Sequence, residues 1–117
     1  MLVPVSKVLT NYDGSELKDV DRQGNALPVT VKLALVAALA EADPKDTPMH
    51  KFEQDALARR IYDTKDGESV ALEAKDVVLL KERVGQRYQP VVVGQLWGLL
   101  DPKEGSNGGT GPEGTGK

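Results

Sequence analysis

Near the start of the chain, apolar and polar residues alternate in VSKVL at 5–9, followed by the turn signal NYDG at 11–14 and a possible return in SELKDV at 15–20. Residues 3–20 therefore read as a β-hairpin. Residues 21–28 (DRQGNALP) are loop, with Gly24 and Asn25 as the chain reversal. The period then becomes helical. Residues 31–42 form a first helix with Thr30 as N-cap, with Leu33, Val36, Ala37 and Ala40 on one side and Leu35 and Leu39 on another. A helix apolar around most of its circumference belongs at the centre of a small domain. Asp43-Pro44 ends it, because proline lacks an N–H and disfavours helical backbone before it.

Thr47-Pro48 opens a second helix over 48–63, with Thr as N-cap and Pro in the first turn, and the spacing of Phe52, Ala56, Leu57 and Ile61 predicts an inward face. Asp66-Gly67 turns the chain into a short extended piece at 69–72, which is predicted to join an edge of the hairpin as a third strand. A third helix covers 73–87, facing inward with Val77, Leu80 and Val84, widened by Val78 and Leu79. Acids (Glu73, Asp76) lead it and bases (Lys81, Arg83, Arg87) follow, the order the helix dipole favours. A fourth helix, 90–100, starts at Pro90 and directs Val92, Leu96, Leu99 and Leu100 to the core. The expected fold class is α+β: the N-terminal hairpin, with 69–72 as its third strand, packed with four helices in one domain over 1–101. Residues 102–117 hold glycine at six positions and no apolar side chain after Pro102, and are expected to be disordered.

Composition narrows this picture. A chain of 117 residues can bury a core without staples, and the core must be aliphatic, since Phe52 and Trp97 are the single Phe and Trp. Zero cysteines remove disulfides, thiol nucleophiles and Cys-based zinc sites. MLVPVSKV at the start has no signal-peptide pattern, and the longest apolar-rich run, residues 31–40, is about half of what a membrane span requires. The expected location is the cytoplasm. A net charge of −3 identifies no partner.

Candidate chemistry is sparse. Gly111–Lys117 fits the first seven positions of G-x-x-x-x-G-K, but lacks the preceding strand and the following Ser/Thr and helix that make such a loop bind phosphate. The loop between the second and third helices sits where a calcium loop would. Taking Gly67 as the invariant sixth position, however, leaves Asp66 and Glu73 as the acidic ligands, too few to hold the ion. His50 is the single histidine, with no second His or Cys to complete a metal site. No nucleophile elbow or Ser-His-Asp spacing is present, so no catalytic residue, cofactor or metal is expected. Residues 51–87 hold eight basic and eight acidic residues, which weakens a nucleic-acid face. Tyr88, Val93 and Trp97 form the candidate interaction surface, as an aromatic with aliphatic neighbours is a common interface anchor, against the alternative that Trp97 merely closes the core.

Residues 72–100, LEAKDVVLLKERVGQRYQPVVVGQLWGLL, together with KVL at 7–9 and Asp13-Gly14, resemble small proteins encoded in bacteriophage and prophage genomes, over about residues 5–100. The resemblance implies a phage-related protein without catalytic signature, suited to virion assembly, tail chaperoning or host modulation. Its partner would be another protein, a phage structural component or a host factor, met in the host cytoplasm or the virion. The alternative is a prophage-encoded nucleic-acid-binding regulator.

Overall fold

The first helix, α1 (Val31–Ala40), is the element around which the others gather. In the computed structural model, which describes residues 1–41 and 43–101, the elements run in the order β1 (Leu2–Pro4), β2 (Lys18–Val20), β3 (Ala26–Pro28), α1, α2 (Pro48–Asp63), β4 (Ser69–Ala71), α3 (Ala74–Arg87) and α4 (Pro90–Leu100). The fold is α+β, with four helices and two small antiparallel sheets. The helix α1 packs against both α2 and α3, and α3 carries α4.

The buried stripe of α1 is Val31, Ala34, Leu35, Ala38 and Leu39, spaced for one helical face. Thr30 Oγ1 accepts the Leu33 N–H at 3.3 Å, as its N-cap role requires. The two sides divide as the spacing predicts: Leu35 and Leu39 are buried, while on the other side Val36 and Ala37 are half-buried and Leu33 points outward at 50% exposure. A nearly all-apolar helix has no polar side to fix its rotation, so packing of the short Ala34 and Ala38 against neighbours decides it. The helix ends at Ala40, with Glu41 extended, while Ala42 lies outside the described residues.

The inward face of α2 is Gln54, Leu57 and Ile61. Phe52 and Ala56 were expected beside Leu57 and Ile61, but both are exposed. At 3.6 residues per turn they lie roughly opposite Gln54 and Ile61. In α3 the buried positions are Asp76, Leu80, Arg83 and Val84, and Val78 stands outside at 68% exposure instead of widening the core face. Glu73 is the N-cap, its N–H donating to Asp76 Oδ2 at 2.9 Å. The helix α4 buries Val92, Leu96 and Leu100, and the fourth residue of the predicted set, Leu99, packs half-buried against the core.

Strand pairing differs from the expected arrangement in detail. The piece at 69–71 does pair with the N-terminal segment, but with β1, placing Val3 opposite Val70, both buried. The regular hairpin is β2–β3, closed by Asp21 and Asn25 with Gly24 at φ +86°. At the expected turn, Asn11 N–H donates to Ser15 O at 2.8 Å and Gly14 takes φ +88°, but the ladder stops after the Thr10–Glu16 bridge. It stops because a third segment intervenes. Leu9 N–H donates to Val29 O, Val29 N–H to Leu17 O, and Leu17 N–H to Leu9 O, all at 2.8–2.9 Å. This closed ring of three backbone bonds fixes Leu9 in the core. The result is two two-stranded sheets in place of a three-stranded one. The expected disorder of 102–117 and the Gly111–Lys117 match lie outside the described residues.

Candidate functional site

The expected surface of Tyr88, Val93 and Trp97 is not one patch. The Tyr88 hydroxyl donates to Ala34 O at 2.8 Å, pinning the start of α4 to α1, and burial pushes its phenol above the usual range. Tyr88 lines a groove of about 370 Å³ beside β2, β3 and α1, a groove that neither Val93 nor Trp97 lines. Val93 is half-buried against the core. Trp97, 37% exposed, lies over α3: its indole N–H donates to Lys81 O at 3.1 Å, Lys81 Nζ sits 4.6 Å from the ring, and a Cβ on Gly85 would be 3.5 Å from Cζ2. Trp97 thus straps α4 to α3. Trp97→Ala should lower stability by about 1–3 kcal/mol, less than for a fully buried Trp, through lost packing and the cation–π contact. Urea denaturation checks this, and an unchanged midpoint would assign Trp97 to a surface instead.

The polar cluster with the deepest burial joins the 43–47 turn to two helices. Asp46 Oδ2 accepts from Asp43 N–H at 2.8 Å and from the Gln54 amide at 3.0 Å, while Oδ1 accepts from Arg83 Nη2. These donors, the Asp43 amide foremost, hold the Asp46 carboxyl well below the usual carboxylate range despite burial. The side chains of Asp46 and Arg83 are 3% and 5% exposed. His50 Nδ1 lies 3.5 Å from Asp46 Oδ1, and among the described residues no hydroxyl hydrogen-bonds to the imidazole. The cluster is therefore built as a brace, with its charges turned on one another.

The arginines of α2 and α3 are similarly engaged. Arg59 pairs with Asp55 at 2.8 Å, Arg60 with Asp76 at 2.8 Å, Arg83 with Asp46 and Arg87 with Glu41. Burial would raise Asp76, but the Glu73 amide and the Arg60 guanidinium hold it below the usual range. In the 63–68 loop, Gly67 N–H donates to Ser6 Oγ at 2.8 Å and Asp66 lies 3.6 Å from Lys32 Nζ. Among the described residues no group of three or more metal-ligating side chains lies together, and no helix is long and apolar enough to cross a membrane.

A different surface is formed by what α2 and α3 leave open. Both pack on α1 and are joined to each other by the Arg60–Asp76 pair, and a cleft of about 480 Å³ runs between them. Phe52 and Ala56 from α2 and Val78 and Leu79 from α3 supply its apolar lining, with Phe52 70% and Val78 68% exposed. Its charged rim is Glu53, Glu73 and Glu82 against Lys75, with Arg60 and Asp76 already paired. The groove between α1 and α2 is larger, about 620 Å³, but Leu39 in it is buried and the Asp55–Arg59 pair stands at its edge. The sequence signal for the α2–α3 cleft is a second apolar stripe, Met49, Phe52 and Ala56 at i, i+3 and i+7, on the side of α2 away from Gln54. Two apolar stripes on one helix mark one for the core and one for something else. Comparison of the chain with protein-family models, with curated proteins and with solved structures finds no match.

Proposed function

We propose that this chain is a non-enzymatic, phage- or prophage-derived docking protein that binds a segment of another protein in the α2–α3 cleft, in the host cytoplasm or on the virion. The observation that carries this reading is the exposure of Phe52 and Val78 on facing walls of one cleft. Large apolar side chains collected in a groove and rimmed by charge are the usual make-up of a protein–protein anchor site. The pattern resemblance of residues 72–100 to phage-encoded proteins supports the assembly or host-modulation setting. With the arginines of α2 and α3 engaged by acids, a protein partner suits the surface better than nucleic acid.

Photo-crosslinking tests it. A benzophenone side chain placed at 52 or at 78 in the full chain should capture the same protein from phage-producing host cells, and one placed at the exposed Tyr12 should not. Phe52→Ser should shift stability by no more than about 0.5 kcal/mol, as expected for an exposed site, while abolishing capture from position 78. Different products from 52 and 78, or equal capture from 12, would refute the docking role.

A further inference from the structure

Resting on that reading of the α2–α3 cleft, we infer that its occupant is a short amphipathic helix bearing Lys or Arg along its flanks. The form of the occupant follows from the walls. Both are helical, α2 over Pro48–Asp63 and α3 over Ala74–Arg87, so beyond their end turns the backbone N–H and C=O groups are bonded within each helix. An extended peptide laid here would find no strand edge to pair with and would desolvate its own amides without compensation. A helix brings its backbone bonds with it and presents a ridge of apolar side chains, the shape a trough between two helices accepts. Since the cleft is lined by α2, α3 and the residue before α3 and is open between them, a further helix seated there would lie against both walls.

The charge of the occupant follows from the rim. Glu53 projects from α2 and Glu82 from α3, so the two lie on opposite walls of the cleft, and among the described residues neither forms an ion pair. Glu73 adds a third carboxylate, and Lys75 is the one Lys or Arg of the rim outside the Arg60–Asp76 pair. Acids on both walls of an apolar trough select an apolar ridge flanked by bases and repel one flanked by acids.

Two 14-residue synthetic helical peptides with the same leucine ridge, one with lysine and one with glutamate at every polar position, provide the probes. Binding to the full chain is followed by fluorescence anisotropy, and its location by the NMR shifts of Phe52 and Val78. The lysine peptide is expected to bind about tenfold or more tighter at low salt, to weaken as salt rises, and to shift Phe52 and Val78. Glu53→Lys with Glu82→Lys should invert the preference. Glu16→Lys with Asp19→Lys makes the same change in net charge outside the cleft and should leave the preference in place. Equal binding of the two peptides, binding of neither, or the same response to both charge reversals would overturn the basic-helix assignment. If crosslinks from 52 and 78 still converge on one protein, the docking role stands and the occupant's chemistry alone is wrong. If those crosslinks also diverge, both fall.

Discussion

Leu35→Ala should destabilise the protein by about 3–5 kcal/mol, while Leu33→Ala, two residues away on the same helix, should cost less than about 1 kcal/mol. The contrast rests on the rotation of α1. Leu35 is fully buried in the stripe of the helix that meets α2 and α3, and Leu33 is half-exposed. Removing the Leu35 side chain forfeits its transfer energy and leaves a cavity where three helices meet, which rigid helix walls cannot fill by collapse. A domain of this size is stable by roughly 5–15 kcal/mol, so the Leu35 change alone removes a large fraction of the total. Urea denaturation of both variants with matched m-values measures the difference. Equal effects would mean that α1 is rotated away from the described orientation.

Those two leucines also show where the sequence stops being legible. Helix positions follow from punctuation that acts locally: Thr30 and Thr47 as caps, Pro48 and Pro90 in first turns, Gly67 at a positive φ. Such signals need no knowledge of the rest of the chain, and the helices lie close to where they predict. Helix rotation is not local. In α1 nearly all the residues are apolar, and in α2 Gln54, whose amide serves Asp46, is buried beside Leu57 and Ile61, while Phe52 is left outside. A polar residue inside and a phenylalanine outside invert the usual rule, and only the partner of Gln54 explains it. Strand pairing was obscured for a related reason. The segments around Leu9, Leu17 and Val29 bond in a ring, and β1 pairs with β4 across more than sixty residues of chain, as Val3 faces Val70. Alternation within a strand says nothing about either. The cleft was hidden by the same inversion, since Phe52 and Val78 have the composition of core residues and are distinguished by position alone. Trp97 is legible in the sequence as an aromatic beside aliphatic neighbours, but its seat over Gly85 depends on how α4 crosses α3.

Arg83→Met should lower the melting temperature by roughly 10–20 °C, because it strands Asp46 without its guanidinium in a site that is closed to water. Methionine keeps most of the aliphatic stem, so the loss is electrostatic and not a packing defect. Asp46→Asn should be severe in its own way, since Arg83 would then keep only Asp43, at 3.8 Å, as an acid partner, and its Nε already lacks one. The double variant Asp46→Asn with Arg83→Met should recover part of the loss, as a neutral pair no longer buries an uncompensated charge. The acid limb gives a second and independent readout. The folded-state pKa of Asp46 is depressed below its ordinary 3.8, so its contribution is fully present above that value and disappears as pH falls through the folded pKa. Asp76 is depressed in the same direction, held by the Glu73 amide and Arg60. Wild type should therefore show nearly constant melting between about pH 5 and 7 and a steep fall below about pH 4. The double variant lacks the Asp46 contribution and should fall less between pH 7 and pH 3, keeping the Asp76 share. A single Arg83→Met as stable as wild type, or a double variant with an unaltered acid limb, would show that the cluster does not brace the turn against α2 and α3.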